Sequence, residues 1–431
     1  MIQLEAEQLK AVELMSSSPV CLFTGPPGSG KTTTISHWLK QSGIRGTMCF
    51  APTGRAAQRM MEAFREQGLG LEATTVHGGL IPAHCGYDDK NWTFKYNSEK
   101  KLPADRIVVD EFSMMDNATT LWLLQAVRKG CQVVMAGDPQ QLPPVGKGKP
   151  FIDMIDSEVI AHAKLTKVHR FAGRGAVLLQ QIQRGEDLVF SKELNLDREA
   201  GPHGPENIIH LERSSAHLAV RTLWPALQAV QKRGYDIRND VQVICSRNDA
   251  GAMSRQALNH HLAKLVNPNG KGNDKTKLRT FDKVMCLKNG RRDVYELVGD
   301  KPLKGLGEQY IANGEGGVVK FIDEGQILIK FGRKPLVRFT LAQAAAEVDR
   351  SYAITCHKAQ GGGWPVVIYM IDQSNMIDRS LIYTSISRFQ DICVTIGKRH
   401  IMERQLEKQH VDDRHTLLKH DLLTEVDIKD L

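Results

Sequence analysis

Between Val20 and Thr34 the chain reads Val-Cys-Leu-Phe-Thr-Gly-Pro-Pro-Gly-Ser-Gly-Lys-Thr-Thr-Thr, an apolar run that breaks into glycines and then into a lysine followed by threonines. Gly25, Gly30, Lys31 and Thr32 fit the pattern G-x-x-x-x-G-K-[ST], with a buried-strand run before it and a helix-compatible stretch, Thr33 to Lys40, after it. A plain glycine turn between strand and helix needs no lysine and threonine in register. In a phosphate loop the glycines let backbone N–H groups close around a β-phosphate while the new helix presents its positive end. Pro26, Pro27, Gly28, Ser29 and Thr33 complete the phosphate-binding segment. Lys31 reaches the β- and γ-phosphates, and Thr32 holds magnesium.

The runs that follow repeat the strand-then-helix rhythm. Thr47 to Ala51 leads into Pro52-Thr53-Gly54-Arg55 and a helical stretch from Ala56 to Gln67; Ile107 to Val109 leads into Asp110; Gln132 to Ala136 leads into Gly137-Asp138-Pro139. Such alternation predicts an α/β fold, a parallel sheet with both faces covered. Similar runs at Val241 to Cys245, Val366 to Ile371 and Ile392 to Gly397 predict a second α/β domain. Phe281 to Phe339 differs in texture, with short β-branched segments punctuated by glycines, and reads as a small inserted β-barrel. Asp187 to Glu206 and the tail beyond His400 read as loop-like or weakly ordered. At 431 residues the chain exceeds one compact core. A net charge of +8 is compatible with a polyanionic partner. The eight cysteines form no C-x-x-C pair, and those in apolar runs, such as Cys21 and Cys393, read as reduced core residues of a cytosol-like compartment. The N-terminus has neither the basic nor the apolar character of a signal peptide, and no apolar stretch approaches membrane-spanning length.

Asp110-Glu111 falls at the end of a strand, and so at the C-terminal edge of the sheet beside the phosphate loop. One carboxylate there can hold Mg²⁺ while its neighbour polarises water, which assigns Asp110 to the metal and Glu111 to the general base. Gly137-Asp138-Pro139-Gln140-Gln141-Leu142-Pro143-Pro144-Val145 ends the next strand on the same edge, making Gln141 a candidate sensor of the γ-phosphate. With Gly-Pro-Pro-Gly-Ser-Gly-Lys-Thr and Asp-Glu-x-Ser-Met, this run resembles superfamily 1 helicases, specifically the superfamily 1B group of RecD and Dda.

The resemblance extends from Leu4 to Arg388. It implies two RecA-like parallel-sheet domains holding ATP and Mg²⁺ between them, and 5′ to 3′ movement on single-stranded DNA; the physics of the sequence gives no direction. Leu4-x-x-Glu7-Gln8-x-x-Ala11 is similar to the adenine-reading segment, with Gln8 on the base. Ala51 to Ala57 and Ala73 to His77 look like segments that touch the strand, implicating Pro52, Thr53, Gly54, Thr75 and His77. Leu165 to Phe171 resembles the segment whose arginine, Arg170, reaches the nucleotide from the second domain. Ser351 to Gly361 borders both DNA and nucleotide, implicating Thr355, His357 and Lys358 for DNA and Gly361 for nucleotide. Leu381 to Arg388 resembles the closing segment, with Arg388 as the second arginine finger; such fingers are worth roughly 10³ to 10⁵ in rate.

An insertion between Ile81 and Pro103 carries Trp92, Phe94 and Tyr96 in alternation, as in a half-buried hairpin. The family places a strand-separating pin here; three aromatics packing a hairpin onto its own domain are the alternative. The expected organisation is a first RecA-like domain over 1–150 with a pin-like insertion at 80–103, a second over 151–280 and 341–431, and an SH3-like barrel over 281–340 facing the pin. Cys356 stands where the family commonly has a small or β-branched residue, and reads as a packing residue. No long domain precedes the phosphate loop, which suggests a minimal helicase like Dda. The implied partners are single-stranded and forked or tailed duplex DNA, with replication or recombination proteins, for a monomer working in the cytoplasm, or a host's cytoplasm if viral. An RNA helicase with the same motifs, or a nucleotide-gated binding factor that does not unwind, are the rival readings.

Overall fold

The computed structural model describes residues 4–80, 94–169, 174–186, 188–190, 207–298, 301–323, 325–332, 334–411, 414 and 416–425. The chain divides into two compact units, 1–172 with 409–431, and 173–408. The first opens with α1 (Ala6–Ser17), β1 (Val20–Thr24), α2 (Lys31–Ser42), β2 (Thr47–Ala51), α3 (Gly54–Glu66), β3 (Ala73–Thr75) and α4 (Val76–Leu80). It continues through β4 (Arg106–Val109), α5 (Asn117–Ala126), β5 (Gln132–Gly137), α6 (Pro150–Ser157) and β6 (Ala161–Lys164). The six strands form one sheet in the order β3-β2-β4-β5-β1-β6, with every pairing parallel.

Side-chain alternation along the buried strands accounts for the layers. Cys21, Phe23, Val108, Val134 and Ala136 point into a core shared with Ile35, Trp38 and Leu39 of α2 and Met60 and Phe64 of α3. Leu22, Ile107, Val109, Val133 and Met135 point the other way, onto Leu123 of α5 and Phe151 and Met154 of α6. A parallel sheet covered on both faces needs apolar residues at every strand position, which is why these strands read as unbroken apolar runs. Helix starts follow local chemistry: Thr53 accepts from Ala56 N–H at the start of α3, and Asp116 accepts from Thr119 N–H at the start of α5.

The second unit begins with α7 (Arg174–Arg184), β7 (Asn207–Glu212), α8 (Ala216–Lys232), β8 (Val241–Cys245) and α9 (Arg255–Val266). An inserted block follows: β9 (Lys283–Cys286), β10 (Gly290–Val298), β11 (Lys301–Ile311), β12 (Gly316–Ile322), β13 (Gln326–Phe331), β14 (Leu336–Thr340), α10 (Leu341–Glu347) and β15 (Val348–Arg350). The unit resumes with β16 (Ala353–Thr355), α11 (Cys356–Ala359), β17 (Trp364–Met370), α12 (Arg379–Ile386), β18 (Phe389–Gly397) and α13 (Arg399–Leu406). Its main sheet is parallel, in the order β16-β8-β17-β18-β7. The insert is a separate antiparallel sheet of seven strands, β11-β10-β14-β13-β12-β9-β15, around Val284, Val319, Ile327, Ile329, Phe331 and Phe339. Beyond it, α14 (Leu418–Glu425) packs with the first unit, where Leu418 and Leu422 meet the core beneath α6.

Two expected boundaries move. The first unit runs to 172 rather than 150, because β6 adds a sixth strand beside β1. The tail beyond 408 belongs with the first unit, not with the second as expected. Residues 191–206 of the expected loop lie outside the described residues. The seven described cysteines are all buried and unpaired, and burial pushes the Cys356 and Cys393 thiols up to about 12. These are inert packing thiols. No described helix is long and apolar enough to cross a membrane.

A buried polar knot fastens the insert to its host sheet. Asp282, wholly buried, accepts from Asn267 Nδ2 at 2.8 Å, Arg279 N–H at 2.9 Å, Arg350 Nε at 2.9 Å and Tyr352 OH at 3.1 Å. Lys283 Nζ donates to the Val241 carbonyl at 2.8 Å. Removing the carboxylate takes away the acceptor that Asn267, Arg279, Arg350 and Tyr352 share, so Asp282→Ala is expected to cost about 3–5 kcal/mol. Denaturant unfolding with a loss below about 1 kcal/mol would show that the knot carries little of the fold.

Candidate nucleotide site

Three adjacent strands end on the same edge of the first sheet. β1 delivers the phosphate loop, β4 delivers Asp110-Glu111, and β5 delivers Asp138 to Gln141. Gly25 N–H donates to the Gly137 carbonyl at 3.3 Å, which ties the β1 and β5 loops together. Gly28 and Gly30 have φ of 79° and 85°, a left-handed backbone that favours glycine. A Cβ at Gly30 would also lie 2.6 Å from Gln8 Nε2. Gln8, the expected base-reading residue, is therefore packed on the loop from α1, with its Oε1 accepting from Glu5 N–H at 3.0 Å.

Lys31 Nζ donates to the carbonyls of Gly25 at 2.6 Å and Pro26 at 3.2 Å, so the ammonium lies against the loop. Thr32 Oγ1 donates to Asp110 Oδ2 at 3.0 Å, and Glu111 N–H donates to Asp110 Oδ1 at 2.8 Å. Burial, then the charge of Glu111, raise the Asp110 carboxyl above its ordinary range, and Lys31 pulls it back. A buried carboxylate pushed upward and bonded to a threonine hydroxyl is the donor pair that a divalent cation relieves. These residues fit Mg²⁺ held by Thr32, Asp110 and phosphate oxygens.

Two atoms in the cluster are buried without a hydrogen-bond partner among the described residues: Ser29 Oγ in the loop and Glu111 Oε2. Glu111 has φ 55°, uncommon for a non-glycine residue. Gln141 is 4% exposed, its N–H donating to the Asp138 carbonyl at 3.2 Å. Gln8, Gly25 to Thr33, Asp110, Glu111 and Gln141 therefore lie together at one sheet edge.

The segment expected to bring Arg170 in from the second domain is instead built onto the first. Leu165 N–H donates to the Thr24 carbonyl and His169 N–H to the Gly28 carbonyl, each at 2.8 Å. Arg170 itself lies outside the described residues. Glu7, on α1, holds this segment by accepting from Thr166 Oγ1 at 2.6 Å and Thr166 N–H at 2.7 Å, bonds that keep the Glu7 carboxyl below its usual range. Lys167 Nζ donates to Glu5. Sequence reasoning missed Glu5 and Glu7 as anchors; the acidic first turn of α1 was the available signal, but the partners lie far along the chain.

The strand-facing candidates fall in two groups. In the first unit, Thr53 caps α3 and Thr75 Oγ1 accepts from Gly78 N–H at 3.0 Å, on neighbouring strands where Ala51 pairs with Thr75. Pro52 and Gly54 flank Thr53 at the start of α3. His77 sits among aromatic rings, 5.9 Å from Trp122 and 6.3 Å from Phe94, with its imidazole pKa lowered by burial. Phe94 packs on Trp122 at 5.0 Å, and Tyr96 packs with it against the core. These two aromatics thus serve their own domain rather than standing out as a hairpin, because residues 95–100 are bends with no strand pairing. Trp92 and 81–93 lie outside the described residues.

In the second unit, Thr355 ends β16, and His357 and Lys358 sit on the four-residue α11. His357 is exposed and Lys358 half-buried; Gly361 follows with φ 67°. Arg388 departs from expectation. It is 1% exposed, with Nε donating to the Thr384 carbonyl at 2.9 Å and Nη2 to Ser387 Oγ at 3.1 Å. The guanidinium is folded back onto the end of its own helix, whose last carbonyls need donors, and does not extend as a finger.

Residues 3–197 match the AAA domain family and 350–391 match the UvrD-like helicase C-terminal domain. The chain is 27% identical to the ATP-dependent RecD2 DNA helicase of Deinococcus radiodurans, over 96% of this chain and 52% of that protein. It is 26% identical to the RecBCD enzyme subunit RecD of Mycolicibacterium smegmatis, over 94% of this chain and 73% of that one. The chain resembles the RecD-like helicases of superfamily 1B along nearly its whole length. It spans about half the length of the RecD2 relative. The fold is also that of Pif1 helicases: TM-scores are 0.51 against the Candida albicans protein, at 16% identity over 96% of this chain and 98% of that one, and 0.50 against a Bacteroides protein solved with ADP-AlF3 and single-stranded DNA, at 20% over 96% of each. In this RecD-like chain the first family match holds the phosphate loop and runs past the end of the first unit at 172 into the second, and the other, which holds Ser351 to Arg388, lies within the second.

Proposed function

We propose that this RecD-like chain is an ATP-dependent DNA helicase that moves 5′ to 3′ on single-stranded DNA and separates forked or tailed duplexes. The observation that carries this reading is the convergence of Lys31, the Thr32–Asp110 pair, Glu111 and Gln141 on one sheet edge. ATP binds with its β- and γ-phosphates against Gly25 to Thr33 and its base beside Gln8. Bound Mg²⁺ neutralises phosphate charge. Glu111 takes the proton of the attacking water, and Gln141 reads the γ-phosphate. Thr53, Thr75 and His77 on the first unit, and Thr355, His357 and Lys358 on the second, supply the strand contacts. Arg170 stabilises the developing charge. Trp92 and its neighbours in the 80–103 insertion divide the strands, and the inserted sheet serves as an SH3-like module.

The RecD2 and Pif1 names support DNA as the substrate over RNA. Two tailed duplexes of one sequence test the reading: strand displacement with ATP is expected on the 5′-tailed duplex and not on the 3′-tailed one. Displacement from the 3′ tail alone would reverse the polarity; ATPase without displacement on either would favour the binding-factor reading.

A further inference from the structure

The chain leaves the first unit after Ala172 and returns to it at Gln409. The described residues Val411 and Arg414 of the returning segment lie along the loop that follows Gln141. Arg414 Nη1 donates to the carbonyls of Gly146 at 2.8 Å and Gly148 at 3.0 Å. Lys149 Nζ donates to the Val411 carbonyl at 3.4 Å, and Thr416 hydrogen-bonds Asp153 of α6. Leu418 and Leu422 then seat α14 on the core that contains Phe151.

The other side of this glycine loop presses on the segment that follows Glu111. A Cβ on Gly146 would fall 1.9 Å from Asp116 Oδ2, and one on Gly148 2.1 Å from Asn117 Oδ1. Asn117 N–H donates to the Lys147 carbonyl at 3.0 Å. Phe151 packs on Phe112, the residue after Glu111, at 5.5 Å. Gly146-Lys147-Gly148 has little side-chain bulk to hold it, and its carbonyls are fixed from outside by one guanidinium.

We propose that the returning segment is a strap that sets the Gln141 and Glu111 loops for hydrolysis, with Arg414 as its positioning residue. The proposal rests on the reading of those two residues as acting on the γ-phosphate. Arg414 touches neither nucleotide nor reacting atoms. Its effect is to hold the 146–148 backbone, and through it the start of α5 and the loop from β5. Because the strap continues covalently into the second unit, tension on it would reach these two loops directly.

Full-length Arg414→Ala and Arg414→Lys are compared with wild type for single-stranded-DNA-stimulated ATP turnover, affinity for a fluorescent ADP, and melting temperature. Arg414→Ala is expected to lower kcat roughly 10-fold while ADP affinity stays within about twofold. Arg414→Lys, which keeps the charge but not the planar fork, is expected to fall between them. Wild-type kcat in a folded Arg414→Ala, or a parallel loss of turnover and ADP affinity, overturns the strap. If Arg414→Ala does not fold, Arg414→Lys decides: reduced kcat at retained affinity supports the strap, and wild-type kcat overturns it. An inactive wild type would instead remove the hydrolytic reading underneath.

Discussion

Lys31→Ala is expected to reduce ATP hydrolysis by ~10²-fold or more, while salt-sensitive binding to single-stranded DNA and the melting temperature stay near wild type. Among the described residues, Nζ donates to the backbone carbonyls of Gly25 and Pro26 in its own loop. Truncation therefore removes a cation from the phosphate site, while Asp110, which loses the charge that pulls it back, keeps its bonds from Thr32 Oγ1 and Glu111 N–H. The strand-facing candidates sit elsewhere, Thr53 at the α3 cap and Thr75 at the end of β3, so DNA affinity measured without nucleotide should be untouched. The check is a DNA-stimulated phosphate-release assay beside a salt titration of strand binding. An undiminished ATPase in the variant would sink the phosphate-loop assignment.

Legibility in the sequence followed burial. Central strands such as β1, β4, β5, β8, β17 and β18 are covered on both faces, so nearly every position is apolar and the runs stand out. Edge strands did not stand out. β6 reads Ala-His-Ala-Lys, is only partly buried, pairs with β1 alone, and has no β-branched residue to mark it. Missing it shifted the first boundary and sent Leu165 to Phe171 to the wrong domain, although two backbone hydrogen bonds tie that segment to β1 and the phosphate loop. β7 and β16, the two edges of the second parallel sheet, were missed for other reasons: both bury isoleucines, but polar Asn207, His210 and Glu212 break up β7 and β16 has only three residues.

Within the site, side chains defined by the backbone they sit on were legible. The loop glycines, Lys31, Thr32 and Asp110 follow from a strand ending where it must. Contacts set by distant side chains were not. Glu7 finds Thr166 and Arg414 finds Gly146 only because the chain folds back, and no local period encodes either pair. Arg388 shows the converse. Its motif identifies the residue, but the Thr384 carbonyl and the Ser387 hydroxyl decide where the guanidinium lies.

Glu111→Gln is the sharper test of chemistry, because it separates binding from hydrolysis. Oε2 is buried with no hydrogen-bond partner among the described residues, and the backbone is held at φ 55°. A buried carboxylate oxygen without a partner, on a strained backbone beside a phosphate loop, costs stability to keep there. The glutamine is isosteric but cannot take up the proton of the attacking water, so hydrolysis is expected to fall by roughly 10² to 10⁴. Binding should move the other way. Glu111's charge is one of the causes that raise Asp110, and removing it lets Asp110 ionise more readily beside Thr32. Affinity for Mg-ATP is therefore expected to hold or rise, giving a protein that loads nucleotide and stalls. Equilibrium binding of Mg-ATP together with single-turnover hydrolysis measures both halves. Wild-type hydrolysis in Glu111→Gln would remove Glu111 as the base; equal loss of binding and hydrolysis would recast it as a structural support for Asp110.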